Sequence, residues 1–70
     1  MRFSRHAKNG ARAIGATVAD AERLIENPEH VDLGPDGKSR YVGLIRGERV
    51  RVVVAVDDPD LIVTIHRRRR

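Results

Sequence analysis

Ser39-Arg40-Tyr41-Val42-Gly43-Leu44-Ile45-Arg46-Gly47-Glu48-Arg49-Val50-Arg51-Val52-Val53-Val54-Ala55-Val56 is the stretch that decides the fold. Two apolar, β-branched runs flank an Arg-Gly dipeptide, the pattern of an antiparallel hairpin with a two-residue loop. A loop at Arg46-Gly47 puts Ile45 opposite Glu48, Gly43 opposite Val50 and Tyr41 opposite Val52. Val50, Val52, Val54 and Val56 then share one face. Arg40, Val42, Leu44, Arg49, Arg51 and Val53 share the other.

Downstream, Asp57-Asp58-Pro59-Asp60 is turn chemistry, and Leu61–His66 returns as a further strand. That loop sets Val56 against Leu61, Val54 against Val63 and Val52 against Ile65, so the core face is apolar throughout. Ile62, Thr64 and His66 fall on the other face, with His66 directly opposite Arg51. Upstream, Val31–Leu33 reads as a short strand before the strong turn signal Gly34-Pro35-Asp36-Gly37.

The first thirty residues have helical rather than strand periodicity. Ser4 is suited to cap a helix whose Ala7, Ala11 and Ile14 recur at i, i+4 and i+7. Gly10 weakens that helix by about 1 kcal/mol relative to Ala, and Gly15 is its expected stop. Thr17-Val18-Ala19-Asp20 is close to a capping box. Val18, Ala21, Leu24 and Ile25 form the inner side of a second helix, which Asn27-Pro28 ends. The expectation is α+β, two N-terminal helices packed on one face of an antiparallel sheet of about four strands. Residues 1–66 make one domain, and Arg67–Arg70 a basic tail.

Seventy residues with Phe3 and Tyr41 as the only aromatics leave a small aliphatic core. The absence of cysteine excludes disulfides and thiolate zinc sites. No apolar run approaches the roughly 18 residues of a membrane span, and the N-terminus lacks a signal-peptide core, so a soluble cytoplasmic protein is expected. The net charge of +4 is distributed in blocks. Arg2, Arg5, Lys8 and Arg12 open the chain with no acid among them, and Asp20 to Asp36 is acidic. Lys38 to Arg51 is basic again, and the tail alone accounts for the whole excess.

Histidine is the residue that exchanges protons near neutral pH. His6, beside Arg5, Lys8 and Arg12, is placed to act as acid or base next to phosphate-binding cations; the plainer alternative is a helix residue bonded to a nearby carbonyl. RNA cleavage asks for a base at the 2′-hydroxyl, an acid at the leaving 5′-oxygen and cations on the phosphorane, with no metal required. Arg51 with His66 supplies a second half of such a site, or is a solvated surface pair. Arg40 and Arg49 add supporting charge or protect a strand edge. Tyr41 belongs to core packing more than to base stacking. His6, His30 and His66 lack the close spacing of a zinc site, and no metal or other cofactor is expected. The second helix is acidic, which argues against a DNA-reading helix-turn-helix.

These residues resemble a widespread family of small bacterial and phage domains of unknown function. Its members look like RelE/BrnT-type toxins and the wider barnase-, EndoU-, colicin- and RelE-like group of ribonucleases. The likeness is carried by Phe3-Ser4-Arg5-His6-Ala7, Gly15 before Thr17 and Val18, Ile25-Glu26-Asn27-Pro28, Tyr41, Arg51-Val52-Val53-Val54 and Val63-Thr64. It implies a RelE-like arrangement, metal-independent ribonuclease activity and restraint by an antitoxin. His6 matches the family's helix histidine, and Arg51 and His66 correspond more loosely. Gly10 and Ile14 stand where relatives often carry further arginines.

The leading expectation is therefore a toxin-type ribonuclease acting on RNA, free or ribosome-bound. His6, His66 and Arg51 are its catalytic candidates, and Arg5, Lys8, Arg12, Arg40 and Arg49 its RNA-binding candidates. An acidic antitoxin is the expected protein partner, with no membrane involved. The alternative is a non-catalytic module that binds RNA or an acidic protein. A third reading, docking to a host protein, requires an exposed apolar patch around Val42, Leu44 and Ile62.

Overall fold

The computed structural model describes residues 1–34 and 36–68. The chain runs β1 (Arg2–Phe3), α1 (Arg5–Ile14), α2 (Val18–Glu26), β2 (His30–Leu33), β3 (Lys38–Ile45), β4 (Glu48–Ala55) and β5 (Leu61–Arg67). The strands form one sheet in the order β1-β5-β4-β3-β2. The fold is α+β with two helices, as expected, but the sheet is five-stranded and mixed. The additional strand is β1, which pairs parallel to β5 through Arg2↔Leu61 and Phe3↔Ile62. Two residues carry no periodicity to read, which is why it escaped the sequence.

Local chemistry explains the helix boundaries. The Ala7 N–H donates to the Ser4 hydroxyl oxygen at 3.0 Å, and Gly15 ends α1 in the left-handed region at φ 69°. Thr17 and Asp20 complete a reciprocal capping box at the start of α2. The bond from the Thr17 N–H, with the nearby Arg46 and Arg23 guanidinium groups, holds the Asp20 carboxyl below its ordinary pKa. Arg46 and Gly47 both have positive φ, 52° and 78°, as a two-residue type I′ hairpin turn requires. The Arg46 side chain reaches back to the Gly15 carbonyl and to Asp20, so the hairpin tip ties the helix–helix junction to the sheet.

The β3–β4 register is the expected one, from Ile45↔Glu48 to Tyr41↔Val52 and beyond. The β4–β5 register holds for Arg51↔His66, Val52↔Ile65 and Val53↔Thr64, then slips by one residue to Val54↔Ile62. The cause is a bulge that leaves Val63 as the additional residue on β5. The Val63 carbonyl accepts the Ser4 hydroxyl at 2.7 Å, so the cap of α1 also secures the bulge. The slip corrects one expectation: Ile62, expected on the open face, is fully buried in the core. Val56, also expected in the core, lies past the end of β4 and is 58 % exposed.

Ala7 and Ala11 from α1 and Ala21 and Leu24 from α2 pack on Ile45, Val50, Val52, Val54, Ile62 and Ile65. α1 lies along β5 and α2 along β3. Small residues set these approaches. A Cβ on Gly10 would fall well under 3.0 Å from the Ile65 carbonyl oxygen, and one on Gly43 would stand 2.9 Å from Leu24 Cγ. Gly10 is thus a close-contact residue, not only a weak point in a helix. Among the described residues no helix is long and apolar enough to cross a membrane.

Candidate functional site

Cross-strand pairing builds the open face of the sheet in transverse rows. One row runs His30 (β2), Val42 (β3), Arg51 (β4), His66 (β5). The next runs Asp32, Arg40, Val53, Thr64. Val42 and Val53 are buried although they face away from the helices. Arg51 and Arg40 stand directly opposite them, and the aliphatic stems of arginines cover apolar neighbours in this way.

Arg51 occupies a distinctive position. It is half-buried and its Nε is enclosed with no hydrogen-bond partner among the described residues. Among the described residues no carboxylate lies within salt-bridge distance of it. An enclosed N–H without an acceptor is costly, and an anion at this position would relieve that cost. His66 lies across the ladder from it. Partial burial, then the Arg51 charge, then the His6 charge push the His66 imidazole below its ordinary pKa, toward the neutral form.

That influence of His6 on His66 reports a relation invisible in the sequence. Ser4 is anchored to β5 at Ile62 and Val63, and Gly10 rests on Ile65, so α1 runs beside the upper half of β5. At 100° per residue, His6 lies on the same flank of α1 as Gly10 and Ala13. Of the three catalytic candidates, Arg51 and His66 are cross-strand neighbours, and His6 lies on the helix beside β5.

The RNA-binding candidates divide into two groups. Arg40 pairs with Asp36 at 2.7 Å, and Arg49 pairs with Glu29 at 3.0 Å. The Arg40 guanidinium also holds Asp36 below its ordinary pKa. Their charge is therefore largely neutralised. Arg5, Lys8 and Arg12 are exposed on α1, and none has a carboxylate within 4.0 Å among the described residues. The expected basic tail begins inside the sheet: the Arg68 backbone N–H donates to the Arg49 carbonyl at 2.9 Å. That bond continues the β5 ladder past Arg67, itself part of the strand and paired with Glu48. The rest of the expected tail, Arg69 and Arg70, lies outside the described residues.

Two other places fail as sites for the predicted chemistry. A concavity of about 510 Å³ between α2 and the β3–β4 hairpin holds none of the predicted residues, and its Arg23 and Arg46 are engaged by Asp20. The apolar patch needed for host-protein docking is not formed. Val42 is buried and Ile62 is in the core on the opposite face, leaving Leu44 exposed without them.

Compared with protein-family models, with curated proteins and with solved structures, the chain matches none.

Proposed function

We propose that this chain is a metal-independent ribonuclease of the RelE-like toxin type, acting in the cytoplasm on free or ribosome-bound RNA and restrained by an acidic protein. One observation carries the reading: Arg51, whose enclosed Nε has no partner among the described residues, lies opposite His66. Arg51 binds the scissile phosphate and stabilises the charge that grows on it in the transition state. His66, held toward its neutral form, accepts the 2′-hydroxyl proton. His6 donates a proton to the departing 5′-oxygen. Arg5, Lys8 and Arg12 draw the flanking phosphates onto α1.

The test is cleavage of total and ribosome-bound RNA in EDTA by the intact protein, His6→Ala, His66→Gln and Arg51→Lys. The histidine variants are expected to lose roughly 10²–10⁴-fold in rate, and Arg51→Lys on the order of 10²-fold. The pH profile has a defined sign. His66 must be neutral to accept a proton, so the rate rises with pH on an acidic limb centred below the ordinary histidine value of about 6.5. Intact RNA with every protein, ribosomes included, would eliminate the catalytic reading.

A second reading is favoured by the cations of α1, which have no carboxylate partner among the described residues. It is a non-catalytic RNA-binding module. It predicts binding that falls steeply with salt, survives His6→Ala and is lost on reversing Arg5, Lys8 and Arg12 to Glu.

A further inference from the structure

β2 is the terminal strand of the sheet, and all four of its residues are exposed. Leu33 is 73 % and Val31 41 % exposed. The Gly34 N–H donates to the Lys38 carbonyl, and Gly34 and Lys38 are the opposed pair that follows Leu33↔Ser39. Bonded and non-bonded pairs alternate along an antiparallel ladder. Asp32 therefore bonds to β3, and at the start of the strand the Glu29 N–H donates to the Val42 carbonyl at 2.7 Å, whereas Val31 and Leu33 turn their N–H and C=O groups outward. Such an edge is a template for a further strand.

We propose that a second copy of this chain fills it, β2 against β2, antiparallel about a twofold axis through Val31. Charge complementarity selects both the partner and the register. With Val31 opposite the second copy's Val31, each His30 stands opposite an Asp32 on the open face, giving two symmetric pairs of histidine with carboxylate. Shifting the axis by one residue opposes Asp32 to Asp32, a like-charge contact, in one direction and His30 to His30 in the other, and either shift loses both histidine–carboxylate pairs.

The other acids at this edge do not oppose the pairing. Glu29 and Asp36 are already engaged by Arg49 and Arg40. Asp32 acts on Arg40 only through its field, and neither it nor His30 forms a salt bridge among the described residues. On the helix side, Val31 meets Val31 and each Leu33 lies diagonal to the other copy's Val31, so both exposed apolar side chains gain cover. Two four-residue edges bury less than the roughly 1,200 Å² of a standard interface, which makes the dimer a weak one.

Sedimentation equilibrium of the intact protein from micromolar to millimolar concentration tests this. The expected result is a concentration-dependent dimer. Val31→Pro removes only an outward-facing N–H and should leave the far-ultraviolet circular dichroism unchanged while abolishing association. His30→Asp should weaken association roughly tenfold by opposing acid to acid, and His30→Asp with Asp32→His should restore it to within about twofold. This exchange decides the matter should Val31→Pro disturb the fold. A monomer at millimolar concentration, a dimer indifferent to Val31→Pro in a folded protein, or a double exchange that restores nothing overturns the proposal.

Discussion

At one edge of the sheet, β5 is closed by the two residues of β1 and by α1 resting on the Ile65 carbonyl; at the other, β2 stands uncovered, with its four residues exposed. The closed edge depends on three specialised residues. Ser4 bonds both α1 and the bulge, Gly10 lets the helix approach, and Ile62 pairs with Phe3 of β1. The open edge has ordinary strand residues with nothing among the described residues laid over them. Two of the proposed catalytic groups, His6 on α1 and His66 on β5, belong to elements of the closed edge, and Arg51 lies on the neighbouring β4. An edge that must position side chains is built by close packing, and one left uncovered remains available for association.

The largest expected effect tests the closed edge by sign. Helix propensity alone says Gly10→Ala stabilises α1 by about 1 kcal/mol. The clash of its Cβ with the Ile65 carbonyl says the opposite, because forcing atoms into a filled contact costs about 1–3 kcal/mol. A lower urea midpoint at unchanged slope supports the close approach; a higher midpoint means that α1 stands off β5. Ser4→Ala comes next, at about 1 kcal/mol for loss of the cap. The same change frees the Val63 carbonyl, so amide exchange should quicken at Ala7 and around the bulge together. Faster exchange at Ala7 alone would separate the cap from the bulge.

These residues also mark where the sequence was and was not legible. Ser4, Thr17-Asp20, Gly15 and Arg46-Gly47 act within a few residues of themselves, so both helices and the central hairpin register could be read directly. The bulge could not. Leu61, Ile62 and Val63 are all apolar, so alternation could not say which of them turns inward; the decision rests on Ser4, fifty-nine residues away in sequence. Arg51 opposite His66 was legible because it lies before the slip. The influence of His6 on His66 was not, because it depends on how α1 lies against β5. The Asp36–Arg40 pair spans a short turn at i,i+4, a local signal that could have removed Arg40 from the RNA-binding candidates. The Arg49–Glu29 pair joins separate elements and had no such signal.

The smallest expected effect belongs to the open edge. Val31 contributes outward-facing backbone groups and a side chain that is 41 % exposed. Val31→Thr keeps the β-branched shape and the strand preference while replacing a methyl with a hydroxyl. A surface change of this kind should move the stability of the dilute protein by less than about 0.5 kcal/mol. The comparison is sharpened by repeating the urea titration at high concentration. If Val31 packs against a second copy, the substitution matters more there, because association adds stability to the native state by mass action. An equal and small effect at both concentrations would mean that the exposed side chain meets only water, and that the two edges differ in cover but not in use.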